Sequence, residues 1–71
     1  MTSKEAIEHL MATGLSKYRI AKSLGLAPVS VNQYLSGTKM SVQTAAKLAS
    51  VHGLVITDSF SHGDQHDSKR H

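Results

Sequence analysis

With 71 residues, no cysteine and a formal charge of +3, this chain makes one small domain that buries only about 60% of its unfolded surface and gains from a second subunit. The cysteine count excludes a disulfide framework and a thiolate metal site. No apolar run is long enough to span a bilayer, and the N-terminus lacks the charged-then-apolar layout of a signal peptide, so a cytoplasmic location is expected.

Helix signals follow one another along the chain. Thr2 and Glu5 form a T-x-x-E capping box, and Ala6, Ile7, Leu10 and Met11 make an apolar helical stripe that stops at Gly14. Ser16 caps a second helix carrying Ile20, Ala21 and Leu24, which Gly25 ends. Ala27 and Pro28 open a third, since a first helical turn tolerates proline, and Gly37 follows it. Ser41 caps a fourth with Val42, Ala45, Ala46, Leu48 and Ala49, terminated by Gly53. The reading is a compact all-α fold. Its expected shared core is Ile7, Leu10, Met11, Ile20, Ala21, Leu24, Leu26, Val31, Leu35, Val42, Ala45, Leu48 and Ala49.

Beyond Gly53 the stretch LVITDSF is β-branched and favours an extended segment over a fifth helix. The domain is therefore set at residues 1–57, with 58–71 as a polar, disordered tail. Two roles are open for residues 54–60. Leu54, Ile56 and Phe60 anchor a dimer arm, or Leu54 and Ile56 fold back onto the monomer's own core.

The segment Ser16–Gly37 has the layout of a helix-turn-helix. Two helices cross steeply over a short turn only where a small side chain lies at their contact and a glycine takes up the turn, here Ala21 and Gly25. No Asp or Glu lies between Glu8 and Asp58, a window holding Lys17, Arg19, Lys22, Lys39 and Lys47, which suits a polyanion. On the third helix Val31 and Leu35 face inward, whereas Val29, Asn32, Gln33 and Ser36 share the opposite face. Asn and Gln each offer a donor and an acceptor to adenine N7 and N6, and a valine methyl meets the thymine methyl. Bidentate guanine reading is not expected from a helix without arginine or lysine.

Residues 16–54, SKYRIAKSLGLAPVSVNQYLSGTK and SVQTAAKLASVHGL, resemble the DNA-binding domain of the lambda-repressor and Cro-like helix-turn-helix family of phage and bacterial regulators. The resemblance rests on Ala21, Gly25, Val31, the S-G-x-K exit and the fourth helix, all in register. It implies a four-helix lambda-repressor-like domain in which Pro28, Val29, Asn32 and Gln33 face base edges. Ser16, Lys17, Lys22, Ser30, Ser36, Thr38 and Lys39 are then the phosphate-side residues. Two positions depart from the family pattern: Ala27 stands where a Ser or Thr cap is common, and Tyr34 where an aliphatic residue is usual. Tyr34 should lie at the edge of the buried face with its hydroxyl needing a partner.

The function expected is sequence-specific double-stranded DNA binding by a Cro-like transcriptional repressor. It would act as a homodimer on a pseudopalindromic operator in a bacterial host cytoplasm, with no cofactor, small-molecule ligand or membrane involved. The alternative is an antitoxin-type or adaptor module whose C-terminal segment holds a protein partner. The five histidines, His9, His52, His62, His66 and His71, include one i,i+4 pair but sit mostly in the polar tail, so no metal site is expected. Carboxylates confined to the two ends propose no acid–base pair, and no enzyme is expected.

Overall fold

A helix start leaves backbone N–H groups without acceptors, and this chain supplies them from Ser and Thr hydroxyls at three of its four starts. The computed structural model describes residues 1–61, with helices at Ser3–Ala12 (α1), Lys17–Leu24 (α2), Pro28–Leu35 (α3) and Val42–His52 (α4). The Thr2 hydroxyl accepts the Glu5 N–H and the Glu5 carboxylate accepts the Thr2 N–H, the reciprocal capping box. Ser16 and Ser41 accept from the N–H groups of Arg19 and Thr44. α3 has no side-chain cap and begins with Pro28, which has no N–H to satisfy. Among the described residues the fold is all-α, its one β feature an isolated parallel bridge between Ser41 and Phe60.

α3 packs against both α1 and α2, and α2 also packs against α4. The core joins Ala6, Ile7, Leu10, Ile20, Ala21, Leu24, Val31, Tyr34, Met40 and Leu48. Ile7, Ile20, Leu24, Met40, Leu48 and Val31 are fully enclosed, each worth about 1.5–3 kcal/mol over leaving it in water. Leu15, Leu26, Leu35, Leu54 and Ile56 are half-buried against that cluster.

Three expected core members are exposed instead: Met11, Val42 and Ala49. The buried stripes run Ser3, Ala6, Ile7, Leu10 on α1 and Thr44, Ala45, Leu48 on α4, and Met11 and Ala49 each stand about 100° beyond the last buried residue. Val42 is the first residue of α4 and lies outside its stripe. Tyr34 and Met40 take places the sequence left open. Tyr34 is only 8% exposed because α3 buries the i,i+3 pair Val31 and Tyr34 more deeply than Leu35. Its hydroxyl makes no hydrogen bond with the described residues.

The C-terminal segment belongs to the fold through Phe60, so the domain boundary expected after residue 57 falls inside a bonded stretch. The Met1 ammonium donates to Val55 O at 3.0 Å, and Thr57 N donates back to Met1 O at 2.9 Å. One oxygen of Asp58, Oδ1, accepts both the Ser3 N–H at 2.9 Å and the Ser3 hydroxyl at 2.8 Å. Ser3 Oγ in turn accepts the buried Met40 N–H at 2.9 Å. Phe60 N donates to Met40 O and Phe60 O accepts Val42 N. The segment thus straps the start of α1 to the connector before α4. Leu54 and Ile56 lie against the chain's own core, as the fold-back role requires. The polar stretch 62–71, with its three histidines, lies outside the described residues.

Ser3 is 1% exposed, so Ser3→Ala strands the Met40 N–H and removes one bond to Asp58. Urea denaturation should show a loss of about 1–3 kcal/mol. Ser50→Ala, at an exposed position on α4, should change stability by about 0.5 kcal/mol or less.

Candidate nucleic-acid interface

The turn that aims α3 is built from Ala21, Gly25 and Leu26, braced by a residue of α4. Gly25 has φ 71° and ψ 30°, the left-handed region that costs an L side chain about 1–2 kcal/mol. Its N–H and that of Leu26 both turn back to Ala21 O, Leu26 at 2.8 Å, which satisfies carbonyls α2 would leave open and redirects the chain within two residues. Ala21, 1% exposed, is among the buried residues of α2. The contributor from α4 was not legible in the sequence. Lys47 reaches from α4, its Nζ 3.4 Å from Leu24 O, placing a cation at the C-terminal end of α2, where the helix dipole favours one. The same ammonium lies 3.2 Å from where a Cβ on Gly25 would stand.

Held this way, α3 turns Val31 and Tyr34 inward and leaves Pro28, Val29, Asn32, Gln33 and Ser36 exposed. Val29 is 58% exposed. The side-chain amides of Asn32 and Gln33 make no hydrogen bond with the described residues, so their donors and acceptors are available to an incoming partner. Ser36 is different: its hydroxyl donates to Asn32 O at 3.1 Å, within the helix. Ser30 is half-buried. The exposed face of α3 carries no charge.

Cations stand on the elements to either side. Lys17 is the first residue of α2, beside the Ser16 cap, and Thr38 and Lys39 follow α3 on the connector; all four are exposed. Lys22 has other neighbours. Its ammonium lies 5.9 Å from the Tyr18 ring centroid, and it lines a groove with Arg19 and with His52 of α4, to which no residue of α3 contributes. Among the described residues no group of three or more His, Asp or Glu could hold a metal ion, and no helix is long and apolar enough to cross a membrane.

Comparison with protein-family models, with curated proteins and with solved structures finds no match to this chain.

Because Gly25 is both left-handed and in contact with Lys47, Gly25→Ala should lower stability by about 1–2 kcal/mol. Gly25→Ala combined with Lys47→Ala should recover none of the backbone part. A urea series on the two variants separates the two contributions.

Proposed function

We propose that the chain is a sequence-specific double-stranded DNA-binding protein of the lambda-repressor and Cro-like helix-turn-helix kind, acting as a transcriptional repressor in a bacterial cytoplasm. The observation that carries this reading is the outer face of α3. It is an uncharged surface of Val29, Asn32 and Gln33 whose amides are unengaged among the described residues, on a helix fixed by an Ala–Gly turn, with exposed Lys17 and Lys39 on the elements that precede and follow it in the chain. Charge without base-reading groups gives affinity without specificity, and exposed amides without nearby cations give neither; this surface has both. The match of amides and a valine to adenine and thymine edges points to A·T pairs at fixed positions in each half-site. Lys17 and Lys39, with Ser16 and Thr38, hold phosphates.

The protein acts as a two-fold dimer, with half-sites about 34 Å apart on a pseudopalindromic operator. The segment 55–57 supports this. Val55 O and Thr57 N both bond to Met1, so the N–H and C=O of Ile56 between them point the other way, and neither makes a hydrogen bond with the described residues. Val55 is 69% exposed beside that open edge. An unpaired backbone edge next to an exposed β-branched side chain is the kind of surface that a second copy covers. With Leu54 and Ile56 turned onto the monomer core, Val55 and the backbone edge beside it are what remains for the partner.

Selection from a random double-stranded DNA pool at near-physiological salt tests the reading. A two-fold symmetric motif with A·T pairs at fixed half-site positions is expected; retention that ignores sequence and vanishes with added salt would overturn it. Asn32→Ala and Gln33→Ala should each cost about 1–3 kcal/mol on the selected site and relax one base pair. Lys39→Ala should weaken all sequences alike and lower the log–log salt slope by about 0.9. In sedimentation at micromolar concentration, Val55→Lys should shift the protein towards monomer while its helical content is unchanged.

A further inference from the structure

We infer that the groove between α2 and the end of α4 is a binding site for a small carboxylate with a planar apolar body. The groove is open to solvent, has a volume of about 400 Å³ and is lined by Leu15, Tyr18, Arg19, Lys22, Ser23 and His52, a volume within the range of small-ligand pockets. The inference stands apart from the DNA reading, since no residue of α3 lines the groove.

The lining sorts into two chemistries. Leu15 and the Tyr18 ring, 61% exposed, give apolar surfaces against which a flat body can stack. Arg19 and Lys22 supply two cations, and neither is paired with a carboxylate of the described residues. The acids that flank them in the chain are Glu8 and Asp58. An unpaired guanidinium beside an apolar surface matches a carboxylate, whose two oxygens meet its parallel N–H groups. The ammonium of Lys22, over the Tyr18 ring at 5.9 Å, adds a second positive charge.

One wall of the site is formed in advance of any ligand. Ser23 donates its hydroxyl proton to Ile20 O at 2.8 Å, so its 2.9 Å contact with His52 Nε2 needs the proton on that nitrogen. This bond ties α2 to the last turn of α4 and fixes the imidazole as one wall. Leu15 is held by its N–H bond to Leu10 O and by packing on the core. A ligand entering a wall already fixed has less ordering to offset.

The test is a titration of the full-length, isotope-labelled protein followed by backbone amide shifts, with phenylacetate as probe and phenylacetamide and inorganic phosphate as comparators. Phenylacetate should give saturable shifts concentrated on residues 15–23 and His52, and phenylacetamide should bind about tenfold more weakly, a difference of 1.4 kcal/mol. Arg19→Gln should weaken phenylacetate by about tenfold with unchanged thermal unfolding, since Arg19 is exposed. Lys4→Gln, which removes the same charge from α1, should leave binding as it was. No saturable shift at these residues would overturn the inference. So would equal binding of the amide, equal weakening by Lys4→Gln, or the same shifts from phosphate alone, which would mark a bare cationic surface. Each outcome is independent of whether Asn32 and Gln33 read DNA.

Discussion

Everything that α3 presents depends on the two-residue stop at Gly25 and Leu26. If α2 continued one more turn, the Leu26 side chain would leave the core and Asn32 and Gln33 would rotate away from the face they now occupy. The left-handed glycine prevents this, and Leu26 N–H locks the reversal by bonding to Ala21 O. The same device recurs where Leu15 follows Gly14 and Leu54 follows Gly53, each leucine half-buried on the core after a glycine of positive φ. A glycine that ends the helix and a leucine that anchors the exit do one job together: they fix where the next element begins. Gly25 differs from the other two in having Lys47 against it, so α4 braces the turn as well as packing on α2.

A domain this small has few ways to close its core, and the C-terminal strap is one of them. Ser3 joins three parts of the chain through one hydroxyl: the start of α1, the Met40 backbone before α4, and Asp58 on the strap. Asp58 also accepts the Ser3 N–H, at an end of α1 where the helix dipole favours a carboxylate. The extended segment therefore contributes by satisfying polar groups as much as by covering apolar ones. Its alternation divides the labour, with Leu54 and Ile56 facing inward and Val55 outward.

The helices and their caps were legible because each depends on residues within a few positions: Thr2 with Glu5, Ser16 with Arg19, Ser41 with Thr44, Pro28 at a start without a side-chain cap. The face of α3 was legible for the same reason, since periodicity alone separates Val31 from Val29, Asn32 and Gln33. The rest was set by contacts far apart in sequence. Met40 lies in a connector with no periodic pattern, and its burial follows from Ser3 and Phe60. Asp58 reads as the first residue of a polar tail until Ser3, fifty-five positions away, is known to be beside it. Lys47 counts as one more basic residue until its Nζ is seen at the end of α2. The groove is lined from the α1–α2 connector, α2 and α4, so no contiguous motif announces it.

The basic residues of this chain form two sets with different surroundings, which bears on how affinity and selectivity divide. Lys17 and Lys39 are exposed on the elements adjoining α3. Their attraction to a polyanion is long-ranged and salt-sensitive, and it does not depend on base identity. Arg19 and Lys22 flank an aromatic ring and a leucine, where a partner must offer both an anion and an apolar body to gain from the site. A DNA backbone offers the first without the second. The two sets thus favour different partners even though they carry the same charge, and the difference comes from the ring and the leucine beside Arg19 and Lys22 rather than from the cations themselves.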